Sequence, residues 1–226
     1  LTNKRVDLRA VDSSLQAKFI GARGIGAAFL SQHAKVPSDP FAPENPLIFS
    51  VGPFTGTPWP TGARYHVTFH SPLTSAYGYA NSSGFWGPAL RQAGYAVLVI
   101  VGRSPDPVYL EVTPDGIEFH SAQDLWGLGT EAVHDELETD GARVSCIGPA
   151  GENQVRFAAI IKIGVELLHD GEPRIGLQAS DEAQYGGRFL LVAVRQLDHL
   201  VREPDRADRV EQLRPGGLDL GVLDRD

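Results

Sequence analysis

The chain has 226 residues, 42% of them hydrophobic, enough for a substantial core, and a net charge of −8. That charge argues against nucleic acid as the main partner, since phosphate contacts need clustered Lys and Arg. No run of eighteen apolar residues offers a membrane span, and no basic segment followed by an apolar stretch opens the chain as an export signal. The single cysteine, Cys146, excludes an intramolecular disulfide framework and fits a reducing compartment, so the expected location is cytoplasmic. Met is absent, so Leu1 is not expected to be a natural start.

Residues 16–33 read as a helix interrupted by Gly21, Gly24 and Gly26, positions where another backbone or a ligand comes close. Pro46 to Val51 is a predicted strand ended by Gly52-Pro53. Tyr65 to His70 alternates as a second strand, and Ala76 to Ala80 reads as a third. Asn81-Ser82-Ser83-Gly84 is expected to be a tight loop leading into a helix from Phe85 to Ala93, with Gly94 as its stop. Tyr95 to Val101 reads as a buried strand. Val108 to Thr113 and Ile117 to His120 form a predicted hairpin around Pro114-Asp115-Gly116, and Thr130 to Glu138 a predicted helix.

Composition changes near residue 163. Up to Lys162 there are 12 Lys plus Arg against 15 acids; beyond it there are 8 Arg, no Lys and 13 acids. We therefore divide the chain into 1–162 and a divergent tail, 163–226. Within the tail, Phe189 to Val201 carries an approximate helical stripe ended at Pro204, and 205–226 is expected to be mobile and to add little stability. Leu47 to Pro53 is echoed by Arg143 to Pro149, and each Gly-Pro is followed by an Arg-aromatic pair, Arg64-Tyr65 and Arg156-Phe157. The expected fold class is α+β: a duplicated, strand-rich domain with pseudo-twofold symmetry, two β-sheets and a few helices.

Two segments suggest binding chemistry. Arg64 sits just before a strand, and its forked donors suit phosphate or the edge of a heterocycle. Asn81-Ser82-Ser83-Gly84 offers free backbone N–H groups at a helix entrance, where an anion is favoured. The same residues also read as an ordinary N-cap beside a surface arginine. His33, His66, His70 and His120 are not spaced as metal ligands on one face. Trp59, Trp86 and Trp126 read as packing residues, and Cys146 as a buried strand residue. Gly21-x-x-Gly24-x-Gly26 is no dinucleotide loop, because it does not follow a strand.

Several long, irregular motifs occur in one order: Ile20-Gly21-Ala22-Arg23-Gly24, Asp39 to Ile48, Val51 to Thr57, Pro60 to Tyr65, His70 to Thr74, Ala80 to Gly87, Ala93-Gly94-Tyr95 and Ile147 to Asn153. Through them residues 1–161 resemble the N-terminal domain of the aldehyde:ferredoxin oxidoreductase family almost end to end. The resemblance implies an oxidoreductase that converts aldehydes to carboxylic acids with ferredoxin as electron acceptor. It implies a tungsten bis-pterin held through the cofactor's own sulfurs, a magnesium ion bridging the pterin phosphates, and a [4Fe–4S] cluster. By that resemblance Arg64 matches the arginine between pterin and cluster, and the backbone carbonyl of Asn81 contributes to the magnesium site. Ser82, Ser83 and Gly84 match small residues lying against the cofactor, although the family carries Gly where Ser83 stands. A homodimer is a further expectation.

The likeness breaks after Ile161. The family continues with Asn-Asp-Gly and Arg-Ala-Ala-Gly-Arg-Gly-Gly segments that supply the symmetry-related half of the phosphate site. Here the chain reads Lys162-Ile163-Gly164-Val165-Glu166, with a carboxylate where a cation is expected. Cysteine ligands for a cluster and the family's acid–base residues are absent from this sequence, so no catalytic residue is assigned. The alternative reading is an inactive truncated or frame-shifted remnant, a folded module with weak or no pterin binding.

Overall fold

A computed structural model describes residue 1 and residues 3–33, 39–137, 142–162, 189–193 and 209–214. The chain begins with β1 (Arg5–Ala10). Asp12 then caps α1 (Ser13–Phe19), its carboxylate accepting from the backbone N–H groups of Ser14 at 2.8 Å and Leu15 at 3.2 Å. The Ser14 hydroxyl, then those two N–H groups, hold the Asp12 carboxyl below its ordinary range. α1 ends at Ile20, whose φ of 61° is left-handed, and α2 (Ala22–His33) follows. The helix expected over 16–33 is therefore two helices, broken at Ile20-Gly21; Gly24 and Gly26 lie within α2 without interrupting it.

The reason for glycine at two of these positions is close approach. A Cβ on Gly21 would lie 3.1 Å from the carbonyl oxygen of Val51, and one on Gly26 would lie 2.5 Å from Thr68 Oγ1. These glycines bring α2 down onto β2 (Leu47–Val51) and β3 (Tyr65–His70). β3 pairs antiparallel with β4 (Tyr77–Ser82), and α3 (Trp86–Gln92) follows. Gly94, at φ 90°, stops α3 as expected. β5 (Val97–Ile100) returns antiparallel to β2.

Two apolar cores explain why β2 and β5 carry little polarity. Ile48, Val97 and Val99 pack on one face against Ile25, Phe29 and Leu30 of α2. Phe49, Leu98 and Ile100 face the opposite way, toward Trp86, Leu90, Leu110 and Val112. A sheet covered on both faces buries side chains of both faces of a central strand, and all four of β5 are buried.

Leu110 and Val112 belong to the second sheet. There β6 (Val108–Thr113) and β7 (Gly116–Ser121) form the expected hairpin. α4 (Thr130–Leu137), β8 (Arg143–Ser145) and α5 (Gly148–Glu152) follow. The fold is α+β with two sheets, as the sequence implies. The two Gly-Pro echoes sit in different sheets, β2 in one and β8 in the other. Past Gly52-Pro53 the chain turns and returns as β3, whereas Gly148-Pro149 opens α5. The second return is one antiparallel bridge, Cys146 to Ile161. Cys146 is buried, as expected, and its thiol is pushed up to about 11 by burial and then by the Glu152 carboxylate.

The tail departs most from expectation. Phe189–Ala193 is a strand, β9, and not the start of a helix: it lies between β6, antiparallel, and β8, parallel. A short continuous apolar run suits a central strand as well as a helix, and periodicity alone does not separate them. Residues 194–201 of that expected helix lie outside the described residues. Arg209–Arg214 forms β10 between β1 and β5, where a mobile end was expected. The sheet orders are β1-β10-β5-β2-β3-β4 and β7-β6-β9-β8. Charge content hid β10, because a strand whose ladder is closed on both sides gains from backbone pairing irrespective of its composition.

Deleting 205–226 therefore removes an internal strand, leaves β1 without its ladder partner and opens one edge of β5, which keeps β2 on its other side. The melting temperature should fall, by about 2–4 °C for each kcal/mol lost in a protein of this size. Thermal denaturation of the shortened chain measures it; an unchanged midpoint would show that β10 contributes nothing.

Candidate functional site

The site is built on the register of β3 and β4. Tyr65 lies opposite Ser82, and His66 opposite Asn81. Side chains alternate along a strand, so Tyr65 and Ser82 share one face while His66 and Asn81 share the other. Tyr65 is directed into the core, with its ring centroid 4.5 Å from that of Trp86. Burial pushes its hydroxyl up, against the opposing influence of the Ser145 and Ser82 hydroxyls.

Arg64 is held at the mouth of β3 by its own backbone. Its carbonyl accepts from the Thr55 hydroxyl at 2.8 Å, and that hydroxyl oxygen accepts from the Gly52 N–H at 3.0 Å. The exposed Arg64 side chain donates through Nη1 to Asn81 Oδ1. The two residues singled out in the sequence thus touch, at a spacing of seventeen residues. On the same side, the Arg23 guanidinium of α2 lies 3.9 Å from the centre of the Tyr79 ring. His66 is half-buried here, and its imidazole is pushed down by burial first, then by Arg23 and Arg64.

Ser82, Ser83 and Gly84 are arranged differently from expectation. Asn81 and Ser82 are the last residues of β4, not part of a loop. The N-cap of α3 is Phe85, which makes no side-chain cap, so the simple N-cap reading is not realised. The alternation splits the motif: Asn81 lies with Arg64, whereas Ser82 lies with Tyr65. Gly84 has φ 93°, and a Cβ there would lie 2.6 Å from Lys162 Nζ. That ammonium is half-buried and pushed down by desolvation, then by Arg143. Arg143 in turn stacks 4.9 Å from the Phe85 ring centre.

Sequence reasoning missed Arg23, His66 and Lys162. Arg23 lies in one of the matching motifs but carried no assigned role, and Lys162 stands at the composition break. Their approach depends on sheet packing, which no local pattern reveals. Glu166, the expected electrostatic obstacle, lies outside the described residues. Trp86 packs in the core as expected, whereas Trp59 is 61% exposed and stacks on Phe54.

Among the described residues, Arg23, Arg64 and Lys162 make no ion pair with a carboxylate. Arg23 from α2 and Arg64 at the mouth of β3 both act on His66, while Lys162 lies beside Gly84. In a chain of net charge −8, cations without a carboxylate partner among the described residues are chemically suited to an anionic ligand. Arg64 provides planar paired donors and Lys162 a compact charge. Asn81 fixes the direction of the Arg64 fork. The positive φ and bare backbone of Gly84 leave the Lys162 amine room that any larger residue would take.

Comparison with known proteins follows the same residues. A family profile described as "Aldehyde ferredoxin oxidoreductase, N-terminal domain" matches residues 1–188, running past the composition break. A tungsten-containing aldehyde ferredoxin oxidoreductase of Pyrococcus abyssi is 40% identical over 168 residues, 73% of this chain and 28% of its own. The aliphatic sulfonate oxidoreductase, WOR-like subunit, of Pyrococcus furiosus is 30% identical over 190 residues, covering 75% of this chain and 29% of its own. Among solved structures, the active site complex BamBC of benzoyl coenzyme A reductase superposes with a TM-score of 0.65 at 28% identity. That match covers 87% of this chain and 31% of the other. The chain thus spans less than a third of the length of these relatives.

The His66 environment has a consequence for stability. A lowered imidazole pKa means that the unfolded chain takes up the proton first as pH falls, so folding loses stability on acidification below the ordinary value of 6.5. The loss levels off below the folded-state value. His66→Gln should flatten the midpoint-versus-pH curve between about pH 7.5 and 5. Equal acid sensitivity in both proteins would remove His66 as the cause.

Proposed function

The chain belongs to the aldehyde ferredoxin oxidoreductase family, and on that premise we propose that it is the N-terminal platform on which a tungsten–pterin cofactor rests. The observation that carries this reading is the contact of Arg64 with Asn81, with Arg23 acting on the same His66 and Lys162 beside Gly84 of the same motif, none of the three cations having a carboxylate partner among the described residues. Phosphorylated pterins combine a heterocycle rich in hydrogen-bonding edges with a dianionic tail, and these donors suit both parts. Arg64 would bind the heterocycle edge or phosphate, with Asn81 orienting its guanidinium. Lys162 and Arg23 would supply positive potential, and Ser83 and Gly84 small, open backbone. The magnesium contact assigned to the Asn81 carbonyl, the ferredoxin acceptor and the aldehyde substrate belong to this proposal.

When bound, the tungsten–pterin group supplies the two-electron redox chemistry of aldehyde oxidation. The residues of this chain bind and orient it. His66, its cationic form disfavoured by burial and two arginines, adds no third full charge beside them at neutral pH. Lys162, desolvated at Gly84, gains most from an anion that restores a partner to its charge. A single cysteine does not provide four thiolates, so a [4Fe–4S] cluster would need ligands from elsewhere in the enzyme.

Two measurements test the reading. Arg64→Ala should weaken binding of a phosphorylated pterin by about 1.5–3 kcal/mol, the range for hydrogen bonds to charged groups. Asn81→Ala should cost less, because it loosens the arginine without removing it. Equal affinity in wild type and both variants would reduce Arg64 and Asn81 to a surface contact. The isolated chain, supplied with tungstate and a viologen acceptor, should not turn over aldehydes, because it lacks cluster ligands and assigned acid–base residues. Tungsten-dependent turnover by this chain alone would contradict that assignment.

A further inference from the structure

Far along the second sheet, the hairpin carries a different constellation. Glu111 of β6 lies directly opposite Glu118 of β7, and His120 follows Glu118 on the same face. Two carboxylates at a directly opposed pair repel each other and weaken a hairpin unless positive charge lies between them. His120 Nε2 is 3.1 Å from Glu111 Oε2 and 3.6 Å from Glu118 Oε2. All three ligand atoms lie within 4.8 Å of one another.

The details favour convergence on a common point over pairwise hydrogen bonding. His120 Nε2 is shut off from solvent, yet it makes no hydrogen bond of acceptable geometry among the described residues. The imidazole is oriented by stacking on Tyr109, with ring centroids 4.9 Å apart and planes 19° from parallel. In a tetrahedral site with bonds of about 2.0–2.2 Å, neighbouring ligand atoms stand roughly 3.3–3.6 Å apart. The two observed nitrogen–oxygen separations bracket or meet that range. Glu118, with its side chain 77% exposed, can adjust its reach, whereas Glu111 at 17% is set in place.

We propose that Glu111, Glu118 and His120 form a binding site for one first-row divalent cation, with coordination completed by solvent. One imidazole nitrogen and two carboxylate oxygens suit zinc or a similar borderline ion better than magnesium, which prefers an all-oxygen shell. The cation would clamp β6 to β7 across the face opposite Leu110 and Val112. The site stands apart from Arg64 and Asn81 and does not depend on the pterin reading.

The test uses the whole chain after chelator treatment. Zinc is titrated in competition with a chromophoric chelator into wild type, Glu118→Gln and His120→Asn, each first shown to fold by its circular dichroism and melting midpoint. Wild type should bind one equivalent and melt higher with zinc. Each variant should lose about tenfold or more in affinity, since even outer-shell changes reach that size, and should lose the zinc-induced rise in midpoint. X-ray absorption of the zinc-loaded wild type should give a shell of nitrogen and oxygen without sulfur. Wild-type affinity in either variant would overturn the site, because the other histidines would then be the ligands. Absence of any zinc-induced change in wild type would overturn it as well, leaving an ion pair of His120 with Glu111.

Discussion

The packing of Tyr65 on Trp86 is the contact on which the candidate site depends. Phe49 completes the cluster, 5.1 Å from Trp86 and 6.4 Å from Tyr65 between ring centroids. Once Tyr65 is committed to the core, strand alternation sends His66 to the opposite face and leaves Arg64 at the strand mouth. The close seat of Gly87 serves the same contact: a Cβ there would lie 2.9 Å from the Ala63 carbonyl oxygen and 3.2 Å from Tyr65 Cβ. α3 can therefore lie against the start of β3, and Trp86 is carried under Tyr65.

Electrostatics follow from this geometry. Arg23 reaches the site because α2 lies on β2 and β3, which Gly21 and Gly26 permit by close approach. Lys162 lies beside Gly84, just after the bridge that ties Ile161 to Cys146. The acidic majority of the chain is not placed to neutralise these cations among the described residues. A net charge read from composition gives an average, whereas a ligand responds to the charges within a Debye length of its own.

The legibility of the sequence varied with the length scale of the cause. Tyr65 to His70 alternates and is a strand with those bounds, and the hairpin followed from two β-rich runs about a short turn. Gly94 marked the end of α3 because its left-handed conformation is a local requirement. Phe189–Ala193 was misread because five apolar residues have no decisive period, and β10 because its charged composition outweighed its value as a ladder partner. The Asn81–Gly84 motif was recognised, but its division between two sheet faces needed the pairing register.

By itself the sequence determined the α+β class, the principal strands and helices of residues 1–161, and the kinship carried by the ordered motifs around Arg64 and Asn81. These depend on local periodicity, turn chemistry and residue identity, all of which are written along the chain. Tertiary structure alone decided that Arg64 and Asn81 touch, that Arg23 and Arg64 act on one histidine, that Lys162 lies beside Gly84, and that Glu111, Glu118 and His120 converge. It also placed β9 and β10 inside the sheets. Strand pairing and sheet packing bring together residues far apart in the chain, and their selection is a balance of burial, ladder closure and steric fit summed over the whole fold.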